Sequence, residues 1–290
     1  MGRRRPPVVH GLLVVDKPAG VTSHDVVGMA RRRLNERRIG HAGTLDPDAT
    51  GVLLVGVGWV TRLMRYLQGM DKDYVAQVVL GVRTDTLDSS GKVVATCDPS
   101  GVTGDDVRSA VAKLTGEIEQ VPPMVSALKV DGRRLHELAR EGIEVERAPR
   151  HVTVSRFDVE PTGDPAVWDI SVTVSSGTYV RSLADDLGQL LGVGAHLRAL
   201  RRTRVGPFGV GEAAPLDVAA LLSAADALRG MARVEGSDAD VAAARTGRTL
   251  PRPDGDGPWA LIDASGALVA VYEADGDRAR PEVVLAEPVA

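Results

Sequence analysis

The sequence of 290 residues predicts a globular protein that mixes strands with helices, and three observations support this fold class. Short apolar or alternating segments recur between helical patterns, and the clearest strand places Ile170, Val172 and Val174 between polar neighbours. The composition, 43% hydrophobic and 26% charged, is that of a globular chain rather than a disordered one. No segment approaches the roughly 20 apolar residues that a bilayer helix needs, so we expect no membrane partner.

The predicted elements follow in chain order from local patterns. Ser23 is the expected N-cap of the first helix, whose Val26, Val27 and Ala30 share one face. Thr103 is the expected cap of a later helix. We predict strands at 8–15, 52–57, 74–80 and 92–95 and near 170–174, and helices at 23–35, 61–67, 104–114, 179–191 and through 215–245.

Residues 40–51 form a segment rich in Gly, Asp and Pro with few apolar side chains, which predicts a loop with a specified backbone path. Asp46 and Asp48 in this loop invite comparison with the paired carboxylates of a glycosidase. Because Pro47 between them makes a turn, one working carboxylate is the preferred interpretation. The alternative is that Asp46 only caps the turn.

Charge is divided unevenly along a chain whose formal net charge is -4. Residues 1–70 carry 11 lysines and arginines against 5 aspartates and glutamates, whereas residues 205–290 carry 7 against 14. Local field governs steering, so the basic front is compatible with a phosphate-bearing partner. The arginines within 31–38 are either such a surface or a solvated helix face. The acidic tail ends in two apolar strands around residues 263–266, which is a hairpin signal.

The spacing of the glycines and histidines predicts neither a dinucleotide-binding loop nor a metal site. Gly56 and Gly58 follow a strand, but no third glycine completes a dinucleotide-binding loop. The six histidines include no pair at helical spacing, so we expect no metal site. The single cysteine, Cys97, cannot form an internal disulfide, which suits a reducing cytosol and predicts a cytoplasmic protein.

Aromatic residues make up only 3% of the chain, so each tyrosine next to charge is a candidate for a functional placement. Tyr74 and Tyr179 each begin a predicted element beside charged side chains. The alternative interpretation is that both tyrosine rings pack in the core and only place their hydroxyl groups at the surface. A buried arginine near a glycine-containing turn, such as Arg181 after Gly177, needs an acidic partner for its five donors.

Five blocks of these residues occur in a recognisable order. They are Asp16-Lys17-Pro18 with Gly20; Gly40 to Pro47 with Ala49 and Gly51; Lys72 with Tyr74; Gly81 with Arg83 to Thr86, Asp88 and Gly91; and Gly177-Thr178-Tyr179 with Arg181. Further shared segments are 122–129 and 194–202. Together they resemble the bacterial tRNA pseudouridine-55 synthases, the tRNA pseudouridine synthase B family, over about residues 8 to 205.

The resemblance implies a fold and a domain division. The expected fold is α+β, with helices flanking a mixed, mostly antiparallel sheet and a central catalytic cleft. A catalytic domain is expected over residues 1–212, followed over 213–290 by a helical segment and a small PUA-like β module. The tail matches that module only loosely.

The resemblance also assigns site residues. Asp46 is the expected catalytic aspartate, Tyr74 the tyrosine against the uracil, and Arg181 the arginine paired with the aspartate. A neighbouring guanidinium favours the ionised form of a carboxyl group, so Asp46 would be charged at neutral pH.

Seven further residues are implied around the substrate. Tyr179 and Leu200 line the pocket, and His41 fills the gap left when the target nucleotide turns out of its stack. Lys17 supports the first loop rather than performing chemistry. The set is completed by Thr44, Asp88 and Arg202.

The implied activity is isomerisation of uridine-55 in the TΨC arm of tRNA. Nothing is oxidised and nothing is added, so no cofactor is expected. The tRNA phosphates would lie on residues 31–38 and on Arg198, Arg201, Arg202 and Arg204. We expect a monomer with no obligate protein partner. The alternatives are a guide-RNA-dependent pseudouridine synthase and a non-catalytic tRNA-folding factor.

Overall fold

The computed structural model describes residues 6–126, 128–130, 132–143 and 145–285, which form an α+β fold with mostly antiparallel strand pairing. Ala127 of the shared segment 122–129 and residues 286–290 of the predicted tail module lie outside the described residues. The helices are α1 Ser23–Leu34, α2 Met64–Gln68, α3 Gly104–Lys113, α4 Leu135–Arg140, α5 Val180–Leu190, α6 Ala224–Ala227 and α7 Asp238–Arg245, with a 3-10 turn at Gly58–Leu63.

The strands are as follows. They are β1 Gly11–Lys17, β2 Ile39–Ala42, β3 Thr50–Val57, β4 Lys72–Leu80, β5 Val82–Thr84, β6 Val93–Thr96, β7 Gly116–Gln120, β8 Lys129–Val130, β9 Arg133–Arg134, β10 Arg150–Pro161, β11 Val167–Val174, β12 Ala195–Val205, β13 Phe208–Gly209, β14 Leu221–Leu222, β15 Ala232–Glu235, β16 Leu250–Pro251, β17 Trp259–Ile262, β18 Leu268–Asp275 and β19 Arg278–Val284.

The chain divides into two compact units. Unit 1 comprises residues 1–47, 51–69 and 205–290, and unit 2 comprises residues 48–50 and 70–204. The domain boundary predicted at residue 212 stays a prediction. Among the described residues, no helix combines the length and apolar character needed to cross a bilayer.

In unit 1, β1 runs antiparallel to β3 along its whole length, and β2 also pairs with β3. Helix α1 packs Val26, Val27 and Ala30 against Leu13 and Val15 of β1, which confirms the predicted apolar face. The prediction of one loop over 40–51 is wrong at both ends, because β2 continues to residue 42 and β3 begins at residue 50.

The N-cap of α1 is Thr22, so the prediction of Ser23 is wrong. The Thr22 hydroxyl accepts from the Asp25 backbone N–H at 3.0 Å, and the Asp25 carboxylate accepts from the Thr22 N–H at 2.9 Å. This reciprocal capping box satisfies donors that the first turn leaves open. Ser23 lies one residue further along with its side chain buried. Thr103 caps α3 in the same way, as predicted.

The C-terminal part of unit 1 is a five-stranded sheet in the order β15-β17-β18-β19-β16. The hairpin predicted around residues 263–266 joins β17 to β18 and is confirmed. The helix predicted over 215–245 is wrong for most of its length. Gly230 and Gly236 interrupt it, and Ser223 and Ser237 each cap a separate short helix.

Helix α2 is tied to this sheet through charged and phenolic groups. The Arg65 guanidinium lies 3.4 Å from the Glu273 carboxylate and 3.3 Å from that of Glu282. The Tyr66 hydroxyl donates to Glu273 at 3.0 Å, and burial raises the pKa of Tyr66 to about 12. The tail sheet is therefore a fixed part of unit 1.

In unit 2, the principal sheet has the strand order β12-β4-β11-β10-β7. β4 lies beside β11, with Tyr74 opposite Val172. The inward side chains of β11, Ile170, Val172 and Val174, are buried as the alternation predicts. In the segment predicted as a polar turn over 81–91, residues 82–84 instead form β5, which pairs with β6.

Candidate active-site residues

In unit 1, the backbone around Asp46 is held by the side chain of Lys17, which has no solvent exposure. The Lys17 ammonium donates to the backbone carbonyls of Pro18 at 2.9 Å, Val21 at 2.7 Å and Pro47 at 2.9 Å. The Gly20 N–H donates to the same Pro47 carbonyl at 3.0 Å. These bonds join the end of β1, the entry to α1 and the residue that follows Asp46.

Ser23 fixes the residue that precedes Asp46. Its hydroxyl accepts from the Leu45 N–H at 2.8 Å and donates to the Leu45 carbonyl at 3.0 Å. Both backbone groups of Leu45 are thus bound by one buried side chain. Since Lys17 holds Pro47, the backbone is restrained on both sides of Asp46.

The side chains of the loop differ in exposure. Leu45 and Ala49 are buried and anchor the loop, although the sequence pattern indicated few apolar side chains there. Asp46 is half-buried, whereas Thr44 and Asp48 are exposed. The two carboxylates therefore occupy different environments, which favours a role for Asp46 alone. His41 of β2 is half-buried, opposite Val55 of β3.

Tyr74 in unit 2 lies on the buried face of β4, two residues after Lys72. The Arg202 guanidinium of β12 lies 3.5 Å from the Tyr74 hydroxyl and 6.0 Å from the ring centre. Burial, assisted by the charge of Arg202, lowers the pKa of Lys72 to about 8. Leu200, also on β12, is half-buried.

Arg181 lies in the first turn of helix α5 and is almost fully buried. Its guanidinium donates to the Thr86 and Val125 carbonyls, both at 2.9 Å, and lies 3.4 Å from the Asp88 carboxylate. The Thr86 hydroxyl donates to Asp88 at 2.7 Å. The predicted residues Arg181 and Asp88 are therefore neighbours, held in a network of backbone and side-chain bonds.

Tyr179, half-buried at the N-cap of α5, is held by a residue that the sequence analysis missed. The buried Gln120 side chain accepts from the Tyr179 N–H at 2.8 Å and donates to the Tyr179 carbonyl at 3.1 Å. The Ser182 hydroxyl donates to the Val121 carbonyl at 3.2 Å. Gln120 gave no signal in the sequence beyond an uncharged polar residue at the end of a charged strand.

Gln120→Ala should lower the free energy of unfolding by roughly 2 kcal/mol, because a partly buried backbone donor and acceptor of Tyr179 lose their partners. Gln77→Ala is the matched control, since the Gln77 amide bonds to Asp169 at the surface, and it should change stability by less than about 0.5 kcal/mol. Urea denaturation measures both. Equal effects of the two substitutions would contradict the assignment.

The arginines predicted to hold phosphates do not form one exposed set. Arg202 is fully buried, so its phosphate role is wrong, because it has no surface to offer an external anion. Arg204 makes two bonds to Asp73, at 2.6 and 2.7 Å. Arg33 donates to the Ala219 carbonyl at 3.0 Å.

Other arginines of the predicted set remain at the surface. Arg32, Arg37 and Arg198 are exposed, and Arg201 is half-buried with its guanidinium 3.3 Å from the Thr50 hydroxyl. These side chains are available to a polyanion.

The glycines considered for a dinucleotide loop have packing roles instead. A Cβ on Gly56 would clash with the Met64 sulfur, and Gly58 has φ of +60°. Among the described residues, no group of three or more His, Cys, Asp or Glu could hold a metal ion.

Three family models match consecutive parts of the chain. The TruB family pseudouridylate synthase N-terminal domain matches residues 31–180. The tRNA pseudouridylate synthase B C-terminal domain matches residues 181–231, and the tRNA pseudouridine synthase II C-terminal model matches residues 231–286.

Curated relatives and solved structures are similar along nearly the full chain. A tRNA pseudouridine synthase B from Mycobacterium sp. (strain KMS) is 47% identical over 288 residues, 96% of each chain. One from Cutibacterium acnes is 48% identical over 279 residues, 92% of this chain and 94% of that one. The structure titled "Crystal Structure of a Cbf5-Nop10-Gar1 Complex" is 28% identical with a TM-score of 0.74, covering 94% of this chain and 84% of that one.

Proposed function

This chain belongs to the TruB family of pseudouridylate synthases and is an isomerase that forms pseudouridine in tRNA, and on that premise we propose that its target is uridine-55 of the TΨC loop. The observation that carries the catalytic part of the proposal is the half-buried Asp46 in a loop restrained on both sides by Lys17 and Ser23, whereas the target position rests on the resemblance to the tRNA pseudouridine-55 synthases. A restrained carboxylate suits nucleophilic catalysis, because the reacting group must be held near its attack geometry.

In the proposed reaction, Asp46 is the nucleophile. The N1–C1′ bond breaks, the uracil turns, a C5–C1′ bond forms and the proton on C5 departs while N1 gains one. Asp46 adds either to C1′ of the ribose or to the uracil ring and is released at the end. Atoms and electrons balance within the nucleoside, so no cofactor enters the proposal.

The remaining roles follow from the chemistry of each side chain. Arg181 provides the positive charge that favours an ionised Asp46, and Asp88 with two carbonyls holds that guanidinium in place. Tyr74 stacks on the uracil and takes the C5 proton directly or through water.

The pocket must also exclude water, because a glycosyl intermediate open to water would lose its base. Tyr179 and Leu200 have the apolar surface for this role. His41 fills the gap left by the extruded nucleotide, which offsets an unstacking cost of a few kcal/mol. Thr44 is proposed to contact the substrate.

The domain division is proposed as 1–212 for the catalytic domain and 213–290 for a helical segment with a PUA-like module. The five-stranded sheet supports the second part, since Trp259, Leu261, Ala270 and Tyr272 form a buried core of their own.

Binding of tRNA should weaken with salt, with a log-log slope of about 0.7 to 0.9 per phosphate neutralised. Arg37→Gln should reduce the slope by about one phosphate equivalent, because its exposed guanidinium is available to the backbone. Arg252→Gln, an exposed arginine of the tail, is the matched control and should leave the slope unchanged. Filter binding between low and physiological salt measures this. Affinity that does not vary with salt would refute the assignment.

The purified chain alone should convert one uridine in an unmodified tRNA transcript, and mapping should place the product at position 55. A transcript with cytidine at that position should yield no product. A requirement for a guide RNA or companion protein would favour the guide-dependent alternative. Binding without product would favour a tRNA-folding factor. The proposal also assigns a monomer that acts in the cytoplasm on free tRNA.

A further inference from the structure

We propose that Arg202 is a positioning residue for catalysis, whose buried guanidinium sets the orientation of the Tyr74 hydroxyl. This inference rests on the function proposed above and deepens it. It gives Arg202 a role in place of phosphate binding, which its burial rules out.

The first support is the contact between the two side chains. The Arg202 Nη1 atom lies 3.5 Å from the Tyr74 hydroxyl oxygen, and the guanidinium carbon lies 6.0 Å from the centre of the ring. Tyr74 is itself buried. Within the described part of the chain, Arg202 is the one side chain or backbone group that bonds to this hydroxyl.

The second support is the direction of the hydrogen bond. A guanidinium has donors only, whereas a phenol has one O–H donor and acceptor lone pairs. The Tyr74 oxygen must therefore accept from Arg202, and its own proton must point elsewhere. The bond to Arg202 thus fixes which side of the Tyr74 hydroxyl oxygen stays available to a substrate.

The third support is the cost of burying this charge. The Arg202 side chain has no solvent exposure. Its charge also contributes to the lowered pKa of the buried Lys72, so keeping both side chains protonated costs free energy. Removing a cation from water costs several kcal/mol, and an apolar residue of similar volume would fill the space more favourably. A guanidinium at this depth is better explained by its donors than by packing.

A double-mutant cycle between Arg202 and Tyr74 tests the proposal. Arg202→Met should slow single-turnover pseudouridine formation on saturating tRNA by about 10- to 100-fold, the scale of a misplaced reacting group. The tRNA affinity should stay within about twofold. In the Tyr74→Phe background, which keeps the ring and removes the hydroxyl, the same substitution should cost less than about twofold. Arg202→Lys, which restores a donor and the charge, should recover part of the rate.

Controls separate this role from a structural one. Tyr66→Phe combined with Arg202→Met should give additive losses, because the Tyr66 hydroxyl bonds to Glu273 and Arg65. The proposal would be overturned if Arg202→Met slowed the reaction as much in the Tyr74→Phe background as in the original protein. Full activity of Tyr74→Phe would also overturn it. A loss confined to tRNA affinity would also overturn it. If Arg202→Met fails to fold, Arg202→Lys is measured in the same cycle, and additivity there refutes the coupling.

The failure of this inference differs from the failure of the proposed function. The cycle is measured on total pseudouridine formed, so product at a position other than 55 would refute the target and leave the coupling intact. An additive cycle would refute the coupling and leave the target and Asp46 intact.

Discussion

Asp46→Asn should reduce pseudouridine formation by about four orders of magnitude or more, because an amide replaces the only nucleophile in the proposed reaction. The substitution keeps the shape of the side chain, and the bonds that hold Leu45 and Pro47 do not involve the carboxylate. The tRNA affinity should therefore stay within about twofold of the original, the scale of a surface substitution. Single-turnover assays on an unmodified transcript and filter binding provide the two readouts.

Asp48→Asn is the matched control for this prediction. Asp48 is exposed and lies two residues further along the same loop. Its amide variant should retain a rate within about twofold of the original. Equal losses in both variants would restore the interpretation with two working carboxylates, and an active Asp46→Asn would refute the mechanism.

Lys17→Met should lower the free energy of unfolding by roughly 3 kcal/mol, because three partly buried hydrogen bonds from one charged, fully buried donor are lost at once. Methionine has nearly the same length, so little packing is lost. The rate of pseudouridine formation should fall by about 100-fold. Once Pro47 is released, the neighbouring Asp46 can shift away from the position from which it attacks the nucleoside. Urea denaturation and single-turnover rates measure the two effects.

Lys92→Met, at an exposed lysine of unit 2, is the control and should change stability by less than about 0.5 kcal/mol. A Lys17→Met protein with unaltered stability would show that the three carbonyls find other donors. Normal stability with normal activity would remove Lys17 from the support of the Asp46 loop.

Local patterns predicted much of the fold. The alternation at 170–174 gave a buried strand, the apolar spacing of α1 gave its packed face, and Thr103 gave a true cap. Failures occurred where two local signals competed. Thr22 and Ser23 are both good caps, and only the long-range bonds between Ser23 and Leu45 decide between them. Alanine-rich residues 215–245 favour a helix by propensity, but glycines and strand pairing divide them.

The sequence was less informative about which polar side chains are buried. Arg202 and Arg204 are two residues apart in one strand and read alike as phosphate ligands. Yet Arg202 is buried beside Tyr74 and Arg204 pairs with Asp73. Gln120 could not be found, because its partners are backbone atoms 59 residues away. Such contacts depend on strand order, which a pattern of residue types does not encode.

The complete burial of the Lys17 ammonium has a consequence for chemical modification. Amine-acylating reagents attack the neutral, solvent-accessible form of a lysine, and in the folded chain this amine meets carbonyl oxygens on its donors and no solvent. The exposed Lys92 is open to the same reagents from the start. The delay between labelling of these two lysines therefore measures how often the segment that carries Asp46, the proposed nucleophile, opens, without any substitution in the protein.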